Sequence, residues 1–149
     1  MKKIMLVGRT GAGKTTFCQA LYGQELCYQK TQAVEVIHGA IDTPGEYLEN
    51  RRLYRALIVI SAEADLMVLL QDCTDEQCWF APEFAGMFGK PAVGLVTKTD
   101  LAANEQAVRE AEEKLILAGC ERIFHISSIE RTGIDEVRDY IGLTLGRSL

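Results

Sequence analysis

The sequence predicts an α/β fold in which a mostly parallel sheet is covered by helices on both faces. Two observations predict it. Four short runs, Ile4 to Val7, Leu66 to Leu70, Ala92 to Val96 and Ile123 to Ile126, are nearly continuous in apolar residues. That is the pattern of strands buried on both faces. Between them stand segments with the three-to-four-residue apolar spacing of helices. Strands and helices in alternation lead to parallel pairing, right-handed crossovers and three layers. Ligands of such sheets bind at the carboxyl ends of the strands.

Each element has its own justification. After the Ile4 strand, Phe17, Ala20 and Leu21 share one helical face, and Gly23 is fit to end that helix. Ala40-Ile41 leads into Asp42. A helix is expected from about Glu49 to Ser61, with Leu53, Leu57 and Ile60 facing inward. Trp79, Phe80, Phe84 and Phe88 follow the Leu66 strand, with Pro82 suited to the first position of a helix. They fit either a short helix packed on the sheet or a partner surface. Val108, Ala111, Leu115 and Ala118 mark the next helix, with Asn104 as its N-cap and Gly119 just past its end. Ile134, Val137, Ile141 and Leu145 mark the last, and Thr132-Gly133-Ile134-Asp135 has capping-box spacing before it. No repeat, low-complexity tract or linker interrupts the 149 residues, so a single domain over 1–149 is expected.

Composition narrows the function. The chain carries 16 basic and 21 acidic residues, a net charge of −5, with 48% hydrophobic residues. That apolar share excludes a disordered chain. The acidic balance, with only Lys2-Lys3 and Arg51-Arg52 clustered, excludes a duplex nucleic-acid binder. The longest apolar stretches, Ala56 to Ile60 and Leu66 to Leu70, fall far short of the roughly 20 residues of a membrane span. The apolar run after Lys3 stops at Gly8-Arg9, too early for a secretory signal. A cytoplasmic location is expected. Five cysteines at odd spacings match reduced thiols rather than a disulfide framework or a zinc site.

The chemistry begins at Gly8-Arg9-Thr10-Gly11-Ala12-Gly13-Lys14-Thr15-Thr16, which matches G-x-x-x-x-G-K-[ST] between a strand and a helix. Glycines let backbone N–H groups turn inward around α- and β-phosphates. The helix N-terminus adds partial positive charge. Lys14, expected to be partly exposed, supplies a full charge to the β- and γ-phosphates, and the Thr15 hydroxyl is placed for Mg²⁺. Asp42-Thr43-Pro44-Gly45 is the second motif. Its carboxylate can hold Mg²⁺ through a water, and Gly45 can bring a backbone N–H to a γ-phosphate. Thr31, the only threonine between Thr16 and Thr43, is the candidate for a hydroxyl that reaches the metal in the triphosphate state.

Two later loops suit a guanine base. Thr97-Lys98-Thr99-Asp100 follows the third long run, and a carboxylate there accepts two hydrogen bonds from guanine that adenine does not offer. The Lys98 stem can lie over the purine ring. Ser127-Ser128 follows the last strand and can offer a backbone N–H to the guanine oxygen. Arg9 and Arg51 can reach a phosphate or stay solvated, while His38 and His125 are too isolated for a dyad.

These four motifs in order resemble the Ras-like P-loop GTPases over the whole chain. Lys30-Thr31-Gln32-Ala33-Val34-Glu35 and Asp42-Thr43-Pro44-Gly45-Glu46-Tyr47-Leu48-Glu49-Asn50-Arg51 look like the EutP/PduV proteins of ethanolamine and propanediol utilisation. The resemblance implies the three-layer P-loop NTPase fold, GTP/GDP with Mg²⁺, and a place near a bacterial microcompartment with a shell or enzyme partner. The chain departs from the Ras-like pattern at three points. Thr97 stands where Asn is usual, which implies looser bracing of the base and the P-loop and weaker guanine selectivity. Glu46 stands where Gln orients the attacking water; it can act as a base, repel the γ-phosphate, or only favour a helix start. Thr31 and Asp42 lie close together, so one hairpin strand is expected to be short or missing. The leading expectation is Mg²⁺-dependent GTP binding with slow hydrolysis, with Lys14 and Glu46 as the catalytic candidates. A nucleotide-dependent docking module and a phosphotransferase to a small carboxylate are the other two.

Overall fold

A computed structural model describes residues 3–21, 35–37 and 40–145. Thr31, Gly23 and His38 lie outside them. In chain order the elements are β1 (Ile4–Val7), α1 (Lys14–Leu21), β2 (Glu35–Ile37), β3 (Ala40–Asp42), α2 (Glu46–Glu49), α3 (Tyr54–Ser61), β4 (Leu66–Asp72), β5 (Ala92–Thr97), α4 (Glu105–Leu117), β6 (Arg122–His125) and α5 (Ile134–Leu145). They form one sheet in the order β2-β3-β1-β4-β5-β6. Every pairing is parallel except β2 against β3. This is the P-loop GTPase α/β fold that the motif order implied. The short hairpin also holds, since β2 and β3 have three residues each.

The continuous apolar runs are explained by burial on two faces. Side chains alternate along a strand, so Ile4 and Leu6 join a core with Phe17, Leu21, Val137 and Ile141 of α1 and α5. Met5 and Val7 join the opposite core with Leu48, Leu57 and Leu115 of α2, α3 and α4. All four β1 residues are buried. At roughly 1.5–3 kcal/mol for each large buried side chain, the two cores are the main source of stability.

Helix ends follow the expected chemistry in α4. Asn104 accepts a hydrogen bond from the Ala107 N–H at 3.0 Å, and Gly119 takes the left-handed conformation after the helix at φ +97°. The start of α5 differs. Thr132 pairs its backbone with Ser127 at 3.0 and 3.1 Å, so the segment with capping-box spacing closes a loop instead.

One expected helix is corrected, and the aromatic stretch forms the short helix expected of it, as 3₁₀ helix with Phe84 and Phe88 packed in the core, but Pro82 does not start it. The stretch from Glu49 to Ser61 is broken into the end of α2, a 3₁₀ turn at Arg51–Leu53 and α3. The break is at Asn50, whose extended backbone and side-chain oxygen cap the 3₁₀ turn through Arg52 N–H at 3.0 Å. Leu57 is buried as expected, while Leu53 and Ile60 are only half-buried. The aromatic stretch forms a five-residue 3₁₀ turn, Phe84–Phe88, preceded by Glu83 with φ +59°. Pro82 therefore lies before that turn and starts no α-helix. A crossover between parallel strands usually carries an α-helix. The described β4–β5 crossover carries only this turn.

Candidate functional site

The candidate residues collect along the carboxyl edge of the sheet. β1 runs into Gly8–Thr16, β3 ends on Asp42, β4 on Asp72 and β5 on Thr97, while Ser127 follows β6. Parallel pairing makes this inevitable, because it points every strand end the same way. The first loop is tight. Ala12 N–H donates to the Arg9 carbonyl at 2.9 Å, and Gly13, at φ +101°, adopts a conformation that disfavours a side chain. Lys14 then opens α1.

Lys14 is buried, with 6% of its surface exposed, which corrects the expectation of a partly exposed charge. Its Nζ donates to the Gly8 carbonyl at 2.9 Å and the Arg9 carbonyl at 3.2 Å. The ammonium is thus folded into its own loop. Burial pushes its pKa down from the ordinary lysine value, opposed by the nearby Asp42 and Glu49 charges.

The Thr15 hydroxyl donates to Asp42 Oδ2 at 2.5 Å, and Asp42 is fully buried. A hydroxyl and a carboxylate in contact are hard oxygen donors. Among the described residues no cluster of three or more His, Cys, Asp or Glu side chains is poised for a metal. The Thr15 hydroxyl and the Asp42 carboxylate are a small, oxygen-only set. It fits Mg²⁺, which takes one or two protein oxygens together with water and substrate phosphate. Thr43, to which the sequence motif assigns no role, anchors the loop, its hydroxyl donating to the Leu6 carbonyl at 2.7 Å.

Gly45 is required by close approach, not by its φ of −57°. A Cβ there would lie 2.1 Å from Thr10 N and 2.5 Å from Thr10 Cα, so the start of α2 rests directly on the first loop. Glu46, one residue on, is exposed. Glu49, at the end of α2, accepts from the Thr10 hydroxyl at 3.0 Å.

The base-side loops are tied to the phosphate loop through Thr97. Thr97 Oγ1 donates to the Ala12 carbonyl at 2.7 Å and is buried. Threonine thus supplies one brace to the first loop, at the position where fewer bracing bonds than asparagine makes were expected. Lys98 holds φ +59° and pairs with Asp72 at 3.1 Å. Asp100 Oδ1 accepts from Ser127 Oγ at 2.7 Å. Here Ser127 is corrected. Its N–H donates to the Thr132 carbonyl at 3.1 Å, so its role is to orient Asp100 rather than to offer that N–H to a base. Ser128 is half-buried beside it.

A second cluster was invisible in the sequence. Arg9 Nη1 meets Asp75 Oδ2 at 2.9 Å, its Nε lies 3.4 Å from Glu49 Oε1, and its guanidinium stacks 4.8 Å from the Trp79 ring. Trp79 Nε1 also donates to Asp75 Oδ2, at 2.9 Å. Burial pulls the Asp75 carboxyl up. Hydrogen bonds from Arg9, the Gln77 N–H and Trp79 outweigh it and hold Asp75 below the usual carboxylate range. Arg9, inside the motif, and Trp79, in the aromatic stretch, were recognisable beforehand, but not their meeting at Asp75. Arg51 is exposed and lies outside this cluster.

A family model described as "Ethanolamine utilisation - propanediol utilisation", PduV-EutP, matches residues 1–143. The chain is 45% identical over 137 residues to the propanediol utilization protein PduV of Citrobacter freundii, covering 92% of this chain and 91% of that one. It is 35% identical over 148 residues to an Escherichia coli (strain K12) protein named "Probable acetate kinase EutP", covering 95% and 89%. Among solved structures it is similar to translation elongation factor SelB of Methanococcus maripaludis in complex with the GTP analogue GppNHp. That match has a TM-score of 0.67 at 20% identity and covers all of this chain but 35% of that one.

Proposed function

The chain belongs to the PduV–EutP family, and on that premise we propose that it is a GTP-binding P-loop protein, one domain over residues 1–149, that hydrolyses GTP slowly with Mg²⁺. The observation that carries the reading is the pair of bonds Thr97 Oγ1 to Ala12 O and Ser127 Oγ to Asp100 Oδ1. The first joins the base-side loop to the phosphate loop. The second fixes one oxygen of the Asp100 carboxylate, and a carboxylate held in this way supports its reading as the acceptor for a guanine edge.

Gly8, Arg9, Thr10, Gly11, Ala12, Gly13 and Thr16 surround the phosphates, and Lys14 exchanges its two backbone carbonyls for phosphate oxygens. That exchange favours a highly charged ligand, because a buried ammonium gains more from an oxyanion than from a carbonyl. Thr15 and Asp42, with Thr31, would hold Mg²⁺, which neutralises charge on the β- and γ-phosphates. Gly45, resting on Thr10, would offer its N–H to the γ-phosphate. Lys98 covers the base plane, Asp100 reads its edge, and Ser127 and Ser128 line it. Water attacks the γ-phosphorus, the bond to the β–γ bridging oxygen breaks, and that oxygen leaves on GDP. Glu46 directly follows Gly45 and is exposed, so it is the candidate to orient that water. The family description supports a role in ethanolamine or propanediol utilisation, and our reading adds a cytoplasmic site at or near a microcompartment, with a shell or enzyme partner.

A second reading is favoured by the name of the E. coli relative. The γ-phosphoryl would pass to acetate or a similar small carboxylate, the carboxylate oxygen taking the place of water. Titration calorimetry with Mg²⁺ and GTP, GDP or ATP tests the shared premise. Guanine nucleotides are expected to bind more tightly than ATP, and equal affinity overturns the base-reading assignment. Phosphorus NMR of the products with and without acetate then separates phosphate from an acyl phosphate.

A further inference from the structure

Glu49 closes α2 and bears on the phosphate loop. Its N–H donates to the Gly45 carbonyl at 3.2 Å, so Gly45 and Glu49 stand one helical turn apart, and both meet Thr10. The Glu49 carboxylate faces two donors of that loop. Oε2 accepts from the Thr10 hydroxyl at 3.0 Å, and Oε1 lies 3.4 Å from Arg9 Nε. The second contact is incomplete. Arg9 Nε is buried, yet among the described residues it finds no hydrogen-bond acceptor. A buried N–H without an acceptor is costly, and it favours any oxyanion that comes closer.

The two carboxylates around Arg9 are held unequally. Asp75 accepts from Arg9 Nη1, the Gln77 N–H and Trp79 Nε1, which anchors it and fixes the guanidinium over the Trp79 ring. Glu49 is held by the Thr10 hydroxyl and the distant Nε, so it is the exchangeable one. It is also the one beside the Gly45 backbone, from which an N–H to a γ-phosphate is expected. Its charge acts on the buried Lys14 ammonium as well. An anionic group of the chain itself thus occupies donors on the side where a third phosphate would arrive.

We propose that Glu49 is a specificity-determining residue: its carboxylate holds Thr10 Oγ1 and Arg9 Nε in place of the γ-phosphate, and a triphosphate displaces it while a diphosphate does not. This rests on the nucleotide reading above and adds the group that tells the two nucleotides apart. A diphosphate brings nothing to these donors, so Glu49 keeps them and α2 stays seated on the loop. A γ-phosphate offers them a stronger oxyanion but has to move a like charge aside. Its arrival therefore frees the end of α2 from Thr10, and wild-type affinity for the triphosphate is held down by the charge it displaces.

The test is calorimetry on the whole chain with Mg²⁺, comparing GDP with a non-hydrolysable GTP analogue. Glu49→Gln keeps an acceptor for Thr10 and removes only the charge. It should bind the triphosphate about tenfold or more tightly than wild type, and GDP within about twofold of wild type. Thr10→Val added to Glu49→Gln removes a donor and no competitor, so it should take back about tenfold of triphosphate affinity and again leave GDP alone. Glu63→Gln removes one acidic charge at the opposite edge of the sheet, where Glu63 pairs with Lys3, and should change neither affinity. Circular dichroism is expected to show intact folds, because each substitution keeps the shape of its side chain. Unchanged or lower triphosphate affinity in Glu49→Gln, an equal gain for GDP, or the same gain from Glu63→Gln overturns the proposal. So does a Glu49→Gln chain that fails to fold, or a Thr10→Val change without effect on the triphosphate. No binding of any nucleotide overturns the nucleotide reading and the proposal together. Equal affinity for GTP and ATP overturns the base reading alone, and the same comparison then runs with ADP and a non-hydrolysable ATP analogue.

Discussion

Replacing Lys14 by methionine separates the phosphate-binding role of this side chain from its part in the fold. Lys14 is almost wholly buried and donates to two backbone carbonyls at 2.9 and 3.2 Å. Each bond from a charged donor contributes roughly 1.5–3 kcal/mol. Against them stands the loss of hydration of a buried ammonium, several kcal/mol after relaxation. The lowered pKa of Lys14 shows that desolvation outweighs the nearby carboxylates. The nucleotide-free fold should therefore change by no more than about 2 kcal/mol, since methionine fills a similar volume without a charge. Triphosphate affinity should fall by about 2–5 kcal/mol, the cost of removing one partner from a buried charge pair. That is roughly 30-fold to 4,000-fold in Kd. Urea unfolding and calorimetry measure the two quantities on one sample. The pH dependence gives a third. Between the lowered folded pKa and the ordinary value of 10.5, the unfolded chain binds more protons at this site. Wild-type stability should therefore gain from Lys14 as pH rises through that window, and the methionine variant should lack that gain. Retained GTP affinity, or a loss of fold stability above about 3 kcal/mol, would refute the reasoning by making Lys14 a structural residue.

Other outcomes follow from single contacts. Gly45→Ala places a Cβ 2.1 Å from the Thr10 backbone nitrogen, so it should lower stability by about 1–3 kcal/mol; an unchanged thermal midpoint contradicts the seating of α2 on the first loop. Asp100→Asn keeps an acceptor for Ser127 but loses the charge, and the preference for GTP over ATP should drop by about 1–3 kcal/mol in competition binding. Single-turnover hydrolysis decides Glu46: Glu46→Ala should slow it roughly 10²–10⁴-fold for a general base, and a rate equal to wild type for both Ala and Gln variants removes Glu46 from the mechanism. Burial pushes the Cys18 and Cys120 thiols up to about 12, so exposed Cys78 should be alkylated well before either at pH 8 by peptide mass spectrometry.

Whatever acts between neighbouring residues was legible along the chain. Gly8 to Thr16 can be read as a phosphate loop because the glycines, Lys14 and Thr15 act on one turn. The doubly buried strands are legible because alternate residues of Ile4 to Val7 are all apolar. Asn104 and Gly119 are legible because caps act over three or four residues. Tertiary structure settled whatever joins distant residues. Thr97 reaches Ala12 across 85 positions and Arg9 reaches Asp75 across 66, and nothing local at either end announces its partner. Topology sets both meetings, because parallel strands deliver their carboxyl ends to one edge whatever their order in the chain. The break at Asn50 also escaped the apolar spacing, which continues through it; a polar side chain capping its own backbone won over periodicity there. The burial of Lys14 was decided the same way. A lysine is read as exposed because its charge seeks water, and only the folded loop shows two carbonyls taking water's place.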